Sequence, residues 1–449
     1  MYDAASYDAL LVGDVVRVGL LGCGNVGASV ARMLHEHGEE IARRAGTAIE
    51  VTRVAVRDVD KPREVPVPAG LFTDDPYEVV RDRDVDVVVE VMGGIEPARS
   101  LMLEAFRLGK PVVTANKELL ATLSRELFES AAAAQVDLLY EAAVGGGIPL
   151  IRPLREHLAG DRITRFMGIV NGTTNYILTR MTEDGWSLGQ ALADAQRLGY
   201  AEADPSADLE GHDAAAKAAI LASIAFDLRV AAGDVYREGI MAITPDDIRF
   251  ATQLGYVVKL LAIAEGTAGE VSVRVHPAMI PASHPLASVR ESFNAVFIEG
   301  QRVGPIMLYG RGAGGDPTAT SVVGDVIELA RSRSGGGANS LIGHAAHPGA
   351  LSESPPRRLR PIEEMQAQYY LLMRVADRPG VLAAIALVFT EHLVSIKSVW
   401  QEGHGEEAQI VLITHRARER ALQACVRGLR SIDTVKAVSS VIRVEAAEP

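Results

Sequence analysis

Residues 15–27 read VVRVGLLGCGNVG, a short β-branched run passing directly into Gly22, Gly24 and Gly27 at the spacing G-x-G-x-x-G. The residues that follow, ASVARMLHEHGEEIARR, carry apolar positions at helical intervals. Glycines alone serve any tight turn. A strand, then glycines, then a helix is the arrangement in which backbone N–H groups approach a pyrophosphate seated on a helix N-terminus. The stretch predicts a doubly wound, Rossmann-type α/β domain with Gly22, Gly24 and Gly27 at a dinucleotide.

The segments downstream extend that sheet. Residues 50–56 (EVTRVAV) read as the next strand, ending where the ribose of an adenosine lies. Arg57 comes first there, with Asp58 behind it and Lys61 nearby, and a cation at that place favours a 2′-phosphate. NADPH is therefore the expected cofactor over NADH, although Arg57 also reads as a plain surface residue. Residues 85–91 (VDVVVEV) form the continuous apolar run of a strand buried on both faces. Residues 110–114 (KPVVT) deliver Lys117 to the carboxyl end of another strand, where open sheets hold their ligands. After the strand 136–140, the run EAAVGGGIP at 141–149 admits two readings. It is a flexible turn, or a site where exposed main-chain oxygens beside Glu141 hold a monovalent cation; chemistry alone favours the turn, because hard-cation sites gather more side-chain oxygens.

A second stretch concentrates chemistry. Residues 199–217, GYAEADPSADLEGHDAAAK, place Glu202, Asp204, Asp208, Glu210 and Asp213 ahead of Lys217 at the start of an Ala-rich helix. Asp213 and Lys217 are four apart and share a helix face, which is also the pattern of an ordinary surface ion pair. Gly199, Pro205 and Gly211 favour a sharply turned loop that gathers its carboxylates, suiting an ammonium group, beside a lysine suited to a carbonyl oxygen. Upstream, a strand at 165–170 runs into Asn171-Gly172-Thr173-Thr174-Asn175, a polar loop fit for capping or a polar substrate. Residues 270–275, 294–299 and 306–309 read as strands of a second, mixed sheet with a surface for self-association. The glycine-rich run 310–317 precedes a helix at 318–330 and again permits close approach to a ligand.

Residues 332–360 are rich in Gly, Ser, Pro and Arg without apolar periodicity and read as linker or partly ordered loop. Beyond them the order strand, helix, strand, strand, helix, strand is the ferredoxin-like plan, which serves dimerisation or holds a small ligand. The expected organisation is a dinucleotide-binding domain at 1–150, an α+β catalytic and dimerisation domain at 151–331, a linker at 332–366 and a terminal domain at 367–449.

Composition excludes several classes. With 449 residues, 23 % charged and 48 % hydrophobic, the chain has the make-up of a soluble globular protein of about three domains. A net charge of -13 argues against nucleic acid, whose phosphates need a basic surface. Only Cys23 and Cys425 occur, which excludes a disulfide framework and fits a reducing compartment. The N-terminal stretch lacks a basic n-region, and no apolar run is long enough to span a bilayer, so a cytoplasmic location is expected.

Seven motifs in one order, GLLGCGNVG, VVTANK, EAAVGGGIP, GIVNGTTNYIL, GYAEADPSADLEGHDAAAKAAILA, GAGGDPTAT and the terminal DRPGVL, together resemble homoserine dehydrogenase followed by an ACT domain. The resemblance covers nearly the whole chain. It implies NAD(P)H-dependent interconversion of L-aspartate 4-semialdehyde and L-homoserine, a step toward threonine, methionine and isoleucine. Lys217 takes the role of proton donor to the carbonyl oxygen, Lys117 that of a second lysine at substrate and cofactor, and Asp213 orients Lys217. Glu202 and Asp208 hold the substrate, with Asp213, Gly199 and Thr173 beside them. Gly199 and Gly315 lie at the nucleotide, with Asn25, Val26, Arg57 and Lys117 along it. A sodium ion is implied at Glu141 and the main-chain oxygens of Val144, Gly146 and Ile148, which moves the cation reading of that loop ahead of the turn. A threonine effector at the terminal domain and a homodimer or homotetramer are the remaining expectations. Of two rivals, an aspartate-semialdehyde dehydrogenase needs a nucleophilic cysteine that neither Cys23 nor Cys425 is placed to supply. A sensor without turnover leaves the two lysines beside an acidic loop unexplained.

Overall fold

The computed structural model describes residues 15–267, 269–334, 357–403 and 408–445, so most of the expected linker lies outside the described residues. Within them the chain packs as two units, each drawn from three separated segments: 15–162, 219–233 and 308–334 in the first, and 163–218, 234–307 and 357–445 in the second.

The first unit holds six strands: β1 Val16–Leu21, β2 Ile49–Ala55, β3 Phe72–Thr73, β4 Val87–Glu90, β5 Val112–Thr114 and β6 Leu138–Leu139. All pair in parallel, in the order β3-β2-β1-β4-β5-β6. The order reverses direction between β1 and β4, and their carboxyl ends open the crevice where such sheets bind ligands. The doubly wound expectation is met. Every residue of β4 is buried, as its unbroken apolar run requires. The helix Asn25–Glu36 lays Val30, Ala31 and Leu34 on this sheet. Ala319, Val322 and Val326 from the helix Gly315–Ser334 join the same core, so a remote part of the chain closes over the glycine turn.

The second unit carries β7 Ile163–Ile169, β8 Tyr236–Arg237, β9 Tyr256–Gly266, β10 Glu270–Pro281 and β11 Phe293–Gly300. The chain returns to the first unit along β12 Gly304–Arg311. Past the undescribed segment come β13 Arg358–Leu359, β14 Gln366–Val375, β15 Ile396–Glu402, β16 Ala408–Thr414, β17 Ala417–Arg418 and β18 Val435–Val444. The helices Val381–Glu391 and Glu419–Arg430 complete the strand-helix-strand-strand-helix-strand order read from the sequence. The sheet is mixed and runs β11-β7-β9-β10-β18-β14-β16-β15.

Two features of this sheet were not foreseen. β9 was missed because its apolar run has no period that separates a buried strand from a buried helix. It also contains Lys259, 3 % exposed, whose ammonium donates to Asn175 Oδ1 at 2.9 Å and Val289 O at 2.6 Å. Burial brings that lysine down to about 8. The second feature is a parallel junction, Ala278↔Arg443 and Met279↔Val444, which joins the terminal strand β18 to β10. Among the described residues no helix is long and apolar enough to cross a membrane.

Candidate active site

The glycine turn is built by close approach. Gly22 has φ +104°, and a Cβ there meets the Met92 backbone at 3.1 Å. Gly24 is the N-cap of the helix Asn25–Glu36, and no side chain caps that end, so its first N–H groups remain for an anion. Asn25 and Val26 open the helix. Gly315 belongs to this turn through space: a Cβ on it comes within 2.9 Å of Asn25 O and 2.8 Å of Ser29 Oγ. Ser29 Oγ also donates to Asp316 at 2.7 Å.

Arg57 stands exposed just past β2. Asp58 is engaged locally, its carboxylate accepting from the Asp60 and Lys61 amides at 3.0 and 3.2 Å. Arg63 donates to Asp58 O at 2.7 Å and lies 5.6 Å from the Phe72 ring. Burial raises the Cys23 thiol, while Arg63 and Arg32 pull it down, which places two further cations near the turn. Sequence reasoning missed both, because only folding brings them there.

Lys117 is the first residue of the helix Lys117–Ala133, after β5. Asn116 caps that helix, accepting from the Leu119 amide at 3.1 Å, and donates to Gly94 O at 2.7 Å. The fully buried Glu90 accepts from Thr114 Oγ1 at 2.6 Å and from the Met92 and Gly93 amides at 3.0 Å, tying the ends of β4 and β5 together. Burial raises its carboxyl despite those donors. The acid inside the apolar run VVVEV was the signal for this post.

Glu141 is buried, and its carboxylate accepts from the amides of Leu150, Ile151 and Arg152 at 2.6, 2.8 and 2.7 Å. Gly145 and Gly146 have positive φ. A Cβ on Gly146 reaches Gly312 O at 2.6 Å, and Gly146 O accepts from Ser321 Oγ at 2.6 Å. Asp325 accepts from the Glu141 amide at 2.9 Å and from Arg152 at 2.8 Å. Burial nevertheless pushes its carboxyl up to about 7.

An acid raised above its unfolded value binds a proton on folding, so its stabilisation is complete at low pH and fades as the pH rises through about 7. Relative to Asp325→Asn, the natural chain is expected to lose about 2–4 kcal/mol between pH 5 and 8 in denaturant unfolding. The altered contact with Arg152 adds a pH-independent offset, and a flat difference across that window refutes the expectation.

In the second unit β7 ends beside Asn171, which caps the helix Gly172–Glu183 with Oδ1. Its Nδ2 donates to Asp208 at 2.6 Å and to Asp213 at 2.9 Å, gathering two carboxylates 37 and 42 residues away. Lys217 Nζ donates to Asp213 at 2.8 Å and to Val170 O at 2.8 Å. Both side chains of this pair are about one-tenth exposed, 11 % and 10 %, so it is not the surface ion pair that its spacing also allowed. Burial first, then the Asp213 charge, raises Asp208, opposed by Asn171. Thr173 Oγ1 donates to Tyr200 O at 2.6 Å, fastening the loop after Gly199, whose φ is +76°.

The five-acid loop converges only in part. Glu202, Asp204 and Glu210 are exposed; Asp204 accepts from the Ser206 amide at 3.1 Å and Glu210 faces His212 at 3.2 Å. Local contacts use Asp204 and Glu210, and of the five acids Asp208 and Asp213 share Asn171. Lys117 belongs to the first unit and Lys217 to the second.

A parallel sheet with a glycine turn at an uncapped helix, in a chain that also buries a lysine on an aspartate, defines an NAD(P)-dependent oxidoreductase. The family model for homoserine dehydrogenase matches residues 149–327, and that for its NAD-binding domain matches residues 22–141. The chain belongs to the homoserine dehydrogenase family. It is 49 % identical over 438 residues to the homoserine dehydrogenase of Corynebacterium glutamicum, covering 96 % of each chain. A solved homoserine dehydrogenase from Thiobacillus denitrificans superposes with TM-score 0.90 at 42 % identity, covering 96 % of this chain and 99 % of that one. A hyperthermophilic archaeal homoserine dehydrogenase in complex with NADPH matches at TM-score 0.58 and 27 % identity, over 70 % of this chain and 97 % of its own.

Proposed function

We propose that the chain catalyses the reversible reduction of L-aspartate 4-semialdehyde to L-homoserine with NADPH, in the cytoplasm, on the route to threonine, methionine and isoleucine. The observation carrying this reading is the buried Lys217 ammonium, held by Asp213 and Val170 O with two of its three N–H bonds engaged among the described residues. When bound, NADPH supplies the hydride that reaches the aldehyde carbon. Lys217 stabilises the negative charge growing on the carbonyl oxygen and then gives it a proton. Asp213 orients that lysine, Lys117 serves substrate and cofactor, and Asp208 with Glu202 binds the substrate ammonium group. Gly199 lies at the nucleotide and Thr173 at the substrate.

The nucleotide pyrophosphate is assigned to Gly22, Gly24, Asn25, Val26, Gly27 and Gly315, and Arg57 to the 2′-phosphate. Glu141 and the main-chain oxygens of Val144, Gly146 and Ile148 are assigned a sodium ion. That fit is partial: the Glu141 carboxylate already accepts three amides and Gly146 O a hydroxyl, so the main chain carries most of the site. The segments 1–150, 151–331 and 367–449 are assigned to nucleotide binding, catalysis with dimerisation, and ACT-type regulation by an amino acid such as threonine. Exposed Met307 and Tyr309 on β12 support self-association as a homodimer or homotetramer.

Following NADPH oxidation with aspartate semialdehyde, and identifying homoserine as product, tests the reaction; no oxidation overturns it. The same assay reads the cofactor. The NADPH to NADH ratio of kcat/KM is expected to exceed one and to fall about tenfold in Arg57→Ala, the worth of a lost charged hydrogen bond. A natural preference for NADH rejects that assignment.

A further inference from the structure

We infer that the terminal module acts on the reaction through Arg443, a positioning residue that sets the acidic loop by way of Glu238; this rests on the reading of Asp208, Asp213 and Lys217 given above. Arg443 lies in β18, its side chain 4 % exposed. It donates to Glu419 of its own module at 3.0 Å and reaches out of it to Glu238 Oε1 at 2.9 Å and Tyr236 OH at 3.3 Å. Its guanidinium also sits 5.2 Å from the centre of the Tyr236 ring, and Tyr236 OH donates to Glu238. A planar, permanently charged fork held by two carboxylates and a ring has one orientation. It therefore fixes Glu238.

Glu238 is joined to the catalytic loop by backbone. Its amide donates to Val275 O at 2.8 Å, and two residues on the Ile240 amide donates to Leu209 O at 2.9 Å. Between them, Gly239 packs so tightly that an added Cβ lies 2.0 Å from Leu209 O and 2.6 Å from Glu210 Cα. Leu209 is the residue after Asp208, and Asp208 shares Asn171 with the partner of Lys217. Displacement of residues 238–240 is thus transmitted to Asp208 with no flexible side chain in between. An open cavity of about 500 Å³, lined by Glu210, Glu238, Met241, Arg430 and Ser440 among others, gives the segment room to relax once Arg443 lets go.

The link is anchored at both ends. Glu445, two residues on, is buried and ion-paired to Arg274 at 3.0 Å and Arg165 at 2.6 Å, and its amide donates to Met279 O at 2.9 Å. The terminal strand is therefore clamped to β10. Arg443 and Glu238 are the contact between that clamp and the loop.

The test measures KM and kcat for both substrates in the full-length chain carrying Arg443→Met, Glu238→Gln, Tyr236→Phe, Arg443→Lys or Asp208→Asn. Arg443→Met and Glu238→Gln are expected to raise KM for the semialdehyde about 3- to 30-fold, the range for residues that couple distant sites, with the NADPH KM unchanged within twofold. Arg443→Lys recovers part of the loss, and Tyr236→Phe, which keeps the ring, shifts KM the same way by less. Unaltered semialdehyde KM in folded Arg443→Met and Glu238→Gln overturns the inference, as does an equal rise in both KM values. If those two do not fold, Tyr236→Phe decides by the same criterion. Asp208→Asn separates the premises: should it leave the semialdehyde KM unchanged, the substrate reading fails, and with it the reason for the link.

Discussion

Lys217→Ala is expected to lower turnover by about 10²–10⁴, the usual worth of a general acid, while the dissociation constant for NADPH stays within a few-fold. The size follows from the reaction. Hydride arriving at an aldehyde carbon leaves a charge on oxygen that water stabilises poorly in a crevice, so a fixed ammonium acts on the transition state more than on the ground state. The structure adds what holds it in place. Lys217 is hydrogen-bonded to Asp213, and Asp213 in turn is tied through Asn171 to Asp208. Lys217→Arg keeps the charge, yet a planar fork does not fit the position of an ammonium bound to one carboxylate and one carbonyl. It is expected to recover little. Stopped-flow measurement of hydride transfer, beside equilibrium NADPH titration, separates the two quantities; turnover within tenfold of the natural chain removes Lys217 from the mechanism.

Legibility in the sequence tracked the range of the interactions involved. The glycine turn was readable because its strand, glycines and helix are consecutive, and the buried strand β4 announced itself by an unbroken apolar run. Asp213 and Lys217 were visible as neighbours on one helix, but not as a buried pair. Their burial depends on Val170 O and Asn171, which lie some forty residues upstream. The gathering of five acids was overstated, since a Ser206 amide and His212 satisfy Asp204 and Glu210 locally. The burial of Lys259 had no local signal, and the apolar run of β9 fits a buried helix as well as a buried strand. The junction of β18 with β10 pairs residues 165 apart, and no pattern within a single strand specifies such a partner.

Gly27→Ala is expected to weaken NADPH binding by about 10- to 100-fold and to destabilise the first unit by about 1–3 kcal/mol, as overpacking does. A Cβ at Gly27 stands 2.2 Å from Gly22 O, a backbone atom that no rotamer change can move aside. Gly22 cannot simply retreat. It already holds φ +104°, and on its other side the Met92 backbone lies 3.1 Å from where its own Cβ would be. Relief therefore has to come from lifting the helix Asn25–Glu36 away from the turn, which spoils the cradle of amides for the pyrophosphate and opens the core around Val30 and Leu34. Gly38→Ala is the matched control, a helical glycine whose added Cβ meets nothing within 4 Å. It should leave affinity unchanged and raise stability slightly by restricting the unfolded chain. Titration of NADPH by fluorescence and unfolding in urea read both effects, and equal affinity in the two variants contradicts the placement of the nucleotide on this turn.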